Sequence, residues 1–207
     1  KNHFRPDYST YHVVSYYPET GKVQCKETSQ GFSDESCWSR GESWALYGYT
    51  MMYRETKDPA YLEQARHIAD YIIKRLPKDG VPEWDFNAPG TKHAFGMDAK
   101  GAPDPKKFKY RKGDAVYRDS SAGAIIASAL VELSTFAPAK DSRRYKATAE
   151  TILRTLASPE YLSEPGQNGG FLLKHGVTNL HGWSGVDIPL TYADYYFLEA
   201  LLRFQAL

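Results

Sequence analysis

Arg40 and Trp44 are the residues of this sequence best suited to bind a charged ligand together. They lie four positions apart in the stretch "CWSRGESWALYGYT" from Cys37 to Thr50, which has little ordinary polar surface. Residues four apart share one face of a helix. A guanidinium group forms paired hydrogen bonds with a carboxylate, and an indole ring offers a flat apolar surface. The spacing therefore predicts a helix that lines a pocket for an anionic sugar.

Each of these side chains also has an explanation that needs no ligand. Arg40 could be an ion-paired core residue, with Glu42 or a carboxylate on another helix as its partner, because buried charges are usually paired. By pattern alone, Trp44 and Trp38 are more often core residues than stacking platforms. The residue types by themselves leave both interpretations open.

The acidic residues offer no clear catalytic acid. Asp119 is the best candidate, but it stands just before a helical segment and fits an N-cap better. Asp194 matches a capping box with Thr191. Asp34 and Glu35 suit the first turn of a helix, where the macrodipole favours negative charge. We therefore leave the catalytic residue unknown at this level.

Histidines and cysteines give no metal or cofactor site. His175 and His181 are separated by a glycine-containing stretch and lack carboxylate or thiolate partners at ligand spacing. Cys25 and Cys37 are too few for a disulfide framework and are interpreted as two buried thiols. Nothing resembles a phosphate-binding loop or a dinucleotide fingerprint. We expect neither a metal nor a cofactor.

The balance of charge and the absence of long apolar runs restrict the partners. The 207 residues include 26 basic and 25 acidic side chains, which argues against a nucleic-acid partner. No apolar run approaches the roughly 20 residues that a membrane span needs. No basic-then-apolar leader opens the sequence. Since Lys1 is not methionine, we expect the chain to begin after processing, cleavage or trimming.

Five helical segments are predicted, and they alternate in character. The first, third and fifth are small, apolar or aromatic on most faces, which is typical of buried helices. The second and fourth carry one apolar stripe and are predicted to lie on the surface. These segments are residues 36–53, 58–76, 119–136, 141–156 and 191–204. Alternating inner and outer helices predict an all-α fold, an (α/α) toroid, of which this chain supplies roughly half.

The same pattern divides the chain into a helical frame and long loops. We expect an irregular segment over 1–35, a hairpin over 36–76, a long loop over 77–117 that overhangs one end of the toroid, a second hairpin over 118–157, a loop over 158–190 and a final inner helix over 191–207. Strand alternation is weak, although "HVVSYY" from His12 and "GGFLLKHG" from Gly169 could form short β-hairpins.

Three stretches together resemble the unsaturated glucuronyl hydrolases, glycoside hydrolase family 88. They are "QGFSDESCWSRGESWALYG", "RDSSAGAIIASALVEL" and "DIPLTYADYYFLEALLRF". The resemblance covers nearly the whole chain and corresponds to the C-terminal half of the family's six-hairpin toroid. Glu42 and Ser43 depart from the Gln and Ala that the family often has, which affects fine specificity at most.

This resemblance implies a function and a set of site residues. Enzymes of the family hydrate the C4=C5 vinyl ether of unsaturated uronic-acid disaccharides, which lyases release from glycosaminoglycans. It implies that His12, Gln30, Arg40 and Trp44 lie in the subsite for the unsaturated uronate. The family's acidic aspartate and a second essential aspartate belong to the N-terminal half, and no position here matches them. The chain is thus expected to need that missing half and to act in a bacterial periplasm or cytoplasm.

Two other functions stay open at this level. A related six-hairpin enzyme acts on unsaturated rhamnogalacturonan disaccharides from pectin, and its substrate carries the same unsaturated uronate. A non-catalytic helical sugar-binding module would retain the ligand without turnover. Substrate assays separate all three, because only the two enzymes consume the conjugated double bond.

Overall fold

The structure, a computed structural model, describes residues 2–104, 116–182 and 184–207. Within these residues the five predicted helices are confirmed, and two short β-hairpins accompany them. The elements are β1 Val13–Tyr16, β2 Val23–Glu27, α1 Ser39–Thr56, α2 Pro59–Arg75, α3 Ser120–Ser134, α4 Ala139–Leu156, β3 Gly176–Asn179, β4 Ser184–Ile188 and α5 Thr191–Gln205. The chain is therefore mainly helical.

The helices form an inner and an outer layer, as predicted. In the inner layer α3 packs between α1 and α5, while α2 covers α1 and α4 covers α3 from outside. The outer helices each bury a single stripe, through Ala65, Ile68, Ala69 and Ile72 on α2 and through Tyr145, Ala149, Ile152 and Leu156 on α4. This is the layering of an α/α toroid, and the described residues do not close it into a ring.

Complete burial is found only for the central inner helix. Nearly every residue of α3 is buried, whereas Met52 of α1 is 36% exposed and Leu202 of α5 is 68% exposed. The prediction that α1 and α5 are buried on all sides is therefore wrong for the described chain. The physical reason is that α1 and α5 are the outermost of the three inner helices, and each has an inner neighbour only on the α3 side.

Helix caps agree with the sequence at two helices and differ at the other two considered. Asp58 accepts the N–H of Ala60, with Pro59 at the first helical position, and Asp119 accepts the N–H of Ser121 at the start of α3. Helix α1 begins only at Ser39. Asp34 and Glu35, predicted in its first turn, instead lie in the preceding loop, where the Asp34 carboxylate accepts the N–H of Thr28 at 2.9 Å. The Asp34 carboxylate therefore stabilises the loop and not the helix.

The predicted capping box of α5 is also wrong. No side chain caps this helix, because the Asp194 carboxylate accepts the backbone N–H groups of Leu172 and Leu173, each at 2.9 Å. Two buried or half-buried amides from the loop before β3 compete successfully for that carboxylate. Asp194 therefore attaches the loop to α5.

The two β-hairpins lie outside the helical layers. β1 and β2 pair antiparallel, with Val14 opposite Lys26, which confirms the hairpin predicted from "HVVSYY". The hairpin predicted from Gly169 is confirmed only in part: Gly169 and Gly170 have positive φ in a 3-10 turn, a conformation that interrupts a strand, whereas Leu173 forms an isolated antiparallel bridge with Leu162. Continuous strand pairing begins at Gly176 opposite Ile188. The β3–β4 hairpin thus lies directly before α5.

The sequence also leads to predictions about membrane spans and about the two cysteines. In the described part of the chain, no helix is both long and apolar enough to cross a bilayer. Cys37 is buried, Cys25 is half-buried, and both are free thiols. Neither feature adds a constraint on the fold.

Candidate functional site

Three of the four predicted site residues meet at the N-terminal end of α1. Gln30 donates from Nε2 to the carbonyl of Thr178 at 2.7 Å, and Arg40 donates from Nη2 to the same oxygen at 3.0 Å. His12 Nδ1 accepts the backbone N–H groups of Ser29 and Gln30, each at 3.1 Å. A loop residue, a helix residue and a strand carbonyl therefore form one hydrogen-bonded cluster.

The His12 ring faces a cavity beside this cluster. Its centroid lies 4.3 Å from that of Trp38. Burial lowers the pKa of His12, and the positive charges of Arg40 and His181 lower it further. Because Nδ1 accepts hydrogen bonds, the neutral ring carries its proton on Nε2. The cavity measures about 320 Å³, and its walls include His12, Trp38, Phe4, Tyr11, Ala45 and Tyr49.

Arg40 is paired with a buried carboxylate on another helix. Nη1 donates to Asp119 Oδ2 at 2.7 Å, to the Val177 carbonyl and, more weakly, to Ser121 Oγ at 3.4 Å. The guanidinium also lies 4.6 Å above the Trp38 ring. Arg40 is only 3% exposed and Asp119 is fully buried. Arg40 is therefore an ion-paired core residue, and its partner is Asp119 and not Glu42.

This pairing limits what Arg40 offers to a ligand. Nη1 is shared among protein acceptors, and Nη2 already donates to Thr178. A two-pronged bond from both Nη1 and Nη2 to a sugar carboxylate would require one of the Nη1 acceptors to be released. The assignment of Arg40 as a direct substrate ligand stays a prediction, and its established part is to hold α1, α3 and β3 together.

Asp119 acts as a cap and as an ion-pair partner. Its Oδ1 accepts the Ser121 N–H at 3.1 Å and the Ser121 hydroxyl at 2.6 Å, while Oδ2 accepts from Arg40. The N-cap interpretation is confirmed. With both oxygens occupied and no exposed surface, this carboxylate does not face the cavity as a proton donor.

Trp44 lies one turn further along α1, beside α5. Its ring meets that of Tyr196 edge-on, with centroids 5.0 Å apart, and Tyr196 also meets Tyr47 at 5.2 Å. Tyr192, one turn earlier on α5, lies 5.4 Å from the Arg40 guanidinium. Trp44 is half-buried. The Arg40–Trp44 spacing on α1 thus matches the Tyr192–Tyr196 spacing on α5.

Sequence reasoning missed Tyr192, Tyr196 and Thr178 at this site. The two tyrosines carried a usable signal, since they repeat on α5 the four-residue spacing of Arg40 and Trp44 on α1. Thr178 carried none, because it contributes a backbone carbonyl, which every residue has.

A polar layer closes the space between the inner helices beyond the aromatic rings. Glu199 accepts from the Tyr47 hydroxyl at 3.1 Å and from the Ser128 hydroxyl at 2.5 Å. Arg203 donates to Ser128 and lies 3.1 Å from a Glu132 oxygen. Carboxylates and guanidinium groups thus neutralise one another in this layer. The cluster of His12, Gln30 and Arg40 lies at the other end, at the N-terminus of α1.

The whole chain was compared with known proteins. No family model matches the chain. Over its whole length it is 43% identical to an unsaturated glucuronyl hydrolase of Formosa agariphila, covering 46% of that protein. It is 35% identical to an unsaturated chondroitin disaccharide hydrolase of Streptococcus pneumoniae, with 98% of this chain and 46% of that protein aligned.

Solved structures give the same result. A crystal structure of an unsaturated glucuronyl hydrolase specific for heparin matches with a TM-score of 0.85 and 47% identity, covering all of this chain and 50% of that one. The unsaturated glucuronyl hydrolase of Bacillus sp. GL1 matches with a TM-score of 0.81 and 30% identity, over 98% of this chain and 48% of that one. This chain is related to the unsaturated glucuronyl hydrolases.

The extent of the match agrees with the predicted half-toroid. The chain spans about half the length of the unsaturated glucuronyl hydrolases that it matches. That extent fits the predicted correspondence to the C-terminal half of their fold.

Among the described residues, no group of three or more His, Cys, Asp or Glu side chains is placed to hold a metal ion.

Glu42, two positions after Arg40 on α1, is fully buried. Oε2 accepts the N–H of Thr10 at 2.9 Å and its hydroxyl at 2.8 Å, which attaches the N-terminal segment to α1. Oε1 has no hydrogen-bond partner. Burial raises the pKa of this carboxyl to about 7, more than the bonds from Thr10 lower it.

We expect Glu42→Gln to remove a pH dependence of stability. The folded protein holds the Glu42 proton up to about pH 7, whereas the unfolded chain loses it near pH 4.3. The contribution of Glu42 to the free energy of unfolding is therefore fully present below the unfolded pKa and is lost as pH rises through the folded pKa. The total loss is about 4 kcal/mol of unfolding free energy.

Urea unfolding at a series of pH values measures this effect. The wild type loses stability between about pH 4.5 and pH 7, and Glu42→Gln shows a flatter profile and greater stability at pH 8. Exposed Glu19, changed to Gln, is the matched control and keeps the wild-type slope. An unchanged slope in Glu42→Gln would contradict the assignment.

Proposed function

We propose that the protein containing this chain is a glycoside hydrolase that releases unsaturated glucuronate from lyase-generated glycosaminoglycan disaccharides. The main support is the hydrogen-bonded cluster in which Gln30 and Arg40 share the Thr178 carbonyl and His12 bonds the Gln30 backbone and lines a cavity of about 320 Å³. Its relatives are unsaturated glucuronyl and chondroitin disaccharide hydrolases. A related Streptococcus agalactiae enzyme, 34% identical with a TM-score of 0.75, was crystallised with dGlcA-GalNAc6S.

The side chains of this chain have distinct parts in such a reaction. His12 donates from Nε2 to a sugar oxygen, because its Nδ1 is held by backbone N–H groups. Gln30 accepts a hydrogen bond from a sugar hydroxyl through Oε1, since its Nε2 already donates to the Thr178 carbonyl. Trp44 offers a face of its ring to the apolar side of the sugar. Together these contacts orient the unsaturated ring.

The chemical step adds water across the vinyl ether. A proton from a carboxylic acid attaches to C4, the C4=C5 electrons form that bond, and positive charge develops at C5 and the ring oxygen. Water then bonds to C5 and returns a proton to the carboxylate. The resulting hemiketal opens and releases the neighbouring sugar. We place the acid in the remainder of the protein, because Asp119 is committed to Arg40 and to the cap of α3.

The remainder of the toroid is also expected to cover the free face of α5. Tyr195, Leu198 and Leu202 are 58%, 48% and 68% exposed, although they are large and apolar. The relatives are about twice as long as this chain, so their other half is available to pack there. Completion of the ring would bury this patch and bring the acid to the cavity.

A substrate panel tests the proposal. The complete gene product and the 207-residue chain are assayed by loss of absorbance from the conjugated double bond, on unsaturated disaccharides from chondroitin, hyaluronan, heparin and rhamnogalacturonan. We expect the complete product to consume glycosaminoglycan disaccharides and the isolated chain to consume none. Turnover of the pectin disaccharides alone, or binding without turnover by the complete product, would overturn the proposal.

A further inference from the structure

We propose that His175 and Asp187 form a clasp that positions the β3–β4 hairpin and, through the acceptor that Gln30 shares with Arg40, orients Gln30 for substrate binding. The inference rests on the proposed function for its kinetic consequence, but the clasp itself is defined by geometry alone. His175 Nδ1 and Asp187 Oδ1 lie 2.6 Å apart. They directly flank the first pair of the hairpin, Gly176 opposite Ile188.

The backbone at both residues adopts a conformation that is uncommon for side-chain-bearing residues. His175 has φ 63° and Asp187 has φ 56°. Non-glycine residues rarely have positive φ, and such conformations persist where the surrounding structure enforces them. Here the two unusual residues face each other across the base of one hairpin, and their side chains are bonded. Asp187 is also the extra residue of a β-bulge, since Gly176 pairs with Ile188 and Val177 with Val186, and the side-chain bond adds a constraint to this irregular backbone.

The strand that follows His175 connects this clasp with the candidate site. The His175 carbonyl accepts the N–H of Ser120, the first residue of α3, at 3.0 Å. Two and three residues later, the carbonyls of Val177 and Thr178 accept from Arg40, and Thr178 also accepts from Gln30. Gln30 and Arg40 are therefore oriented by the path of β3.

The backbone of β3 is closely packed at Gly176. A side chain at Gly176 would place its Cβ 2.8 Å from the Ile188 carbonyl and 2.6 Å from Leu190. Because the backbone is closely packed at this point, we expect a shift at the base of the hairpin to pass along β3. The Thr178 carbonyl moves with it, and the two site side chains lose their shared acceptor.

The surroundings of the clasp indicate positioning and not catalysis. The buried Tyr161 ring meets the His175 ring edge-on at 5.6 Å and fixes its orientation. Arg118, which borders the same shallow cleft, is paired with Asp79 at 3.0 Å. His175 and Asp187 are themselves 39% and 50% exposed. Neither contacts His12, Gln30 or Arg40 directly, so any effect on the substrate passes through β3.

Two substitutions of Asp187 distinguish a clasp from a requirement for backbone conformation alone. Asp187→Asn keeps an acceptor for His175 and tolerates positive φ. Asp187→Gly relieves the backbone but deletes the acceptor. In the complete protein, with glycosaminoglycan disaccharides, we expect KM to rise about threefold to tenfold for Asp187→Gly and less for Asp187→Asn, with kcat changing less than KM. Glu150→Gln, which breaks the exposed Glu150–Arg154 pair on α4, is the matched control and leaves KM unchanged.

Hydrogen exchange provides a readout that does not depend on turnover. We expect the Ser120 amide, which donates to the His175 carbonyl, to exchange faster in Asp187→Gly than in Asp187→Asn or the wild type. If Asp187→Gly equals the wild type in both KM and Ser120 exchange, the clasp is refuted. If the wild type consumes no unsaturated disaccharide, the proposed function fails, while the exchange comparison still decides the clasp.

Discussion

Replacing Arg40 by methionine is expected to lower the unfolding free energy of the complete protein by about 3–5 kcal/mol, as for other buried ion pairs that lose one partner. The reason is Asp119, which is fully buried and loses its guanidinium partner at 2.7 Å. The Val177 and Thr178 carbonyls lose a donor at the same time. Denaturant unfolding followed by far-UV circular dichroism measures the change.

A double-mutant cycle assigns that loss to the pair. Asp119→Asn keeps an oxygen to cap α3, since asparagine caps helices as well as aspartate does. We therefore expect the Arg40→Met, Asp119→Asn double variant to recover part of the loss, because no buried charge is left without a partner. Arg154→Met, at an exposed pair on α4, is the control and is expected to change stability by less than about 0.5 kcal/mol.

The same variants decide between the two explanations of Arg40. If Arg40→Met abolishes substrate binding while stability falls by less than about 1 kcal/mol, the arginine acts on the ligand and the structural role is secondary. A loss of stability with a coupling energy to Asp119 supports the structural role. The second result is the one that the 3% exposure of Arg40 leads us to expect.

Trp44→Ala is expected to have the largest effect on substrate affinity. If the Trp44 indole covers one face of the sugar, its removal exposes apolar area worth about 1.5–3 kcal/mol, which corresponds to a rise in KM of about 10-fold to 150-fold. Trp44→Phe keeps a ring against Tyr196, 5.0 Å away in the wild type, and is expected to retain much of the affinity. Steady-state kinetics of the complete protein on the preferred disaccharide measure both.

An exposed aromatic residue remote from α1 provides the control for Trp44. Tyr17 is 48% exposed beyond the end of β1, and Tyr17→Ala is expected to leave KM unchanged. Equal KM values for Trp44→Ala and the wild type would show that the indole serves only to pack against α5. In that case the sugar-stacking role would be withdrawn, whereas the cluster at Thr178 would be unaffected.

The layered helical frame was predictable from the sequence because its signals are local. The apolar stripe of α4 repeats with the helical period through Tyr145, Ala149, Ile152 and Leu156, and α3 is apolar on most faces. Asp58 and Asp119 precede their helices directly, so their caps need no distant partner. The positions of Arg40 and Trp44 on one face of α1 follow from the same period.

Tertiary structure alone decided which partners the polar residues take. Asp119 is 79 positions from Arg40, and Asp194 binds amides more than 20 positions earlier, so neither pairing leaves a periodic signal. The Thr178 carbonyl that orients Gln30 and Arg40 belongs to the backbone, which has the same chemistry at every residue. The sequence thus determined the inner and outer helices and the face that carries the site. The packing of β3 against α1 and α3 determined that Arg40 is held by protein acceptors, because a buried charge takes the nearest partners that the fold brings to it.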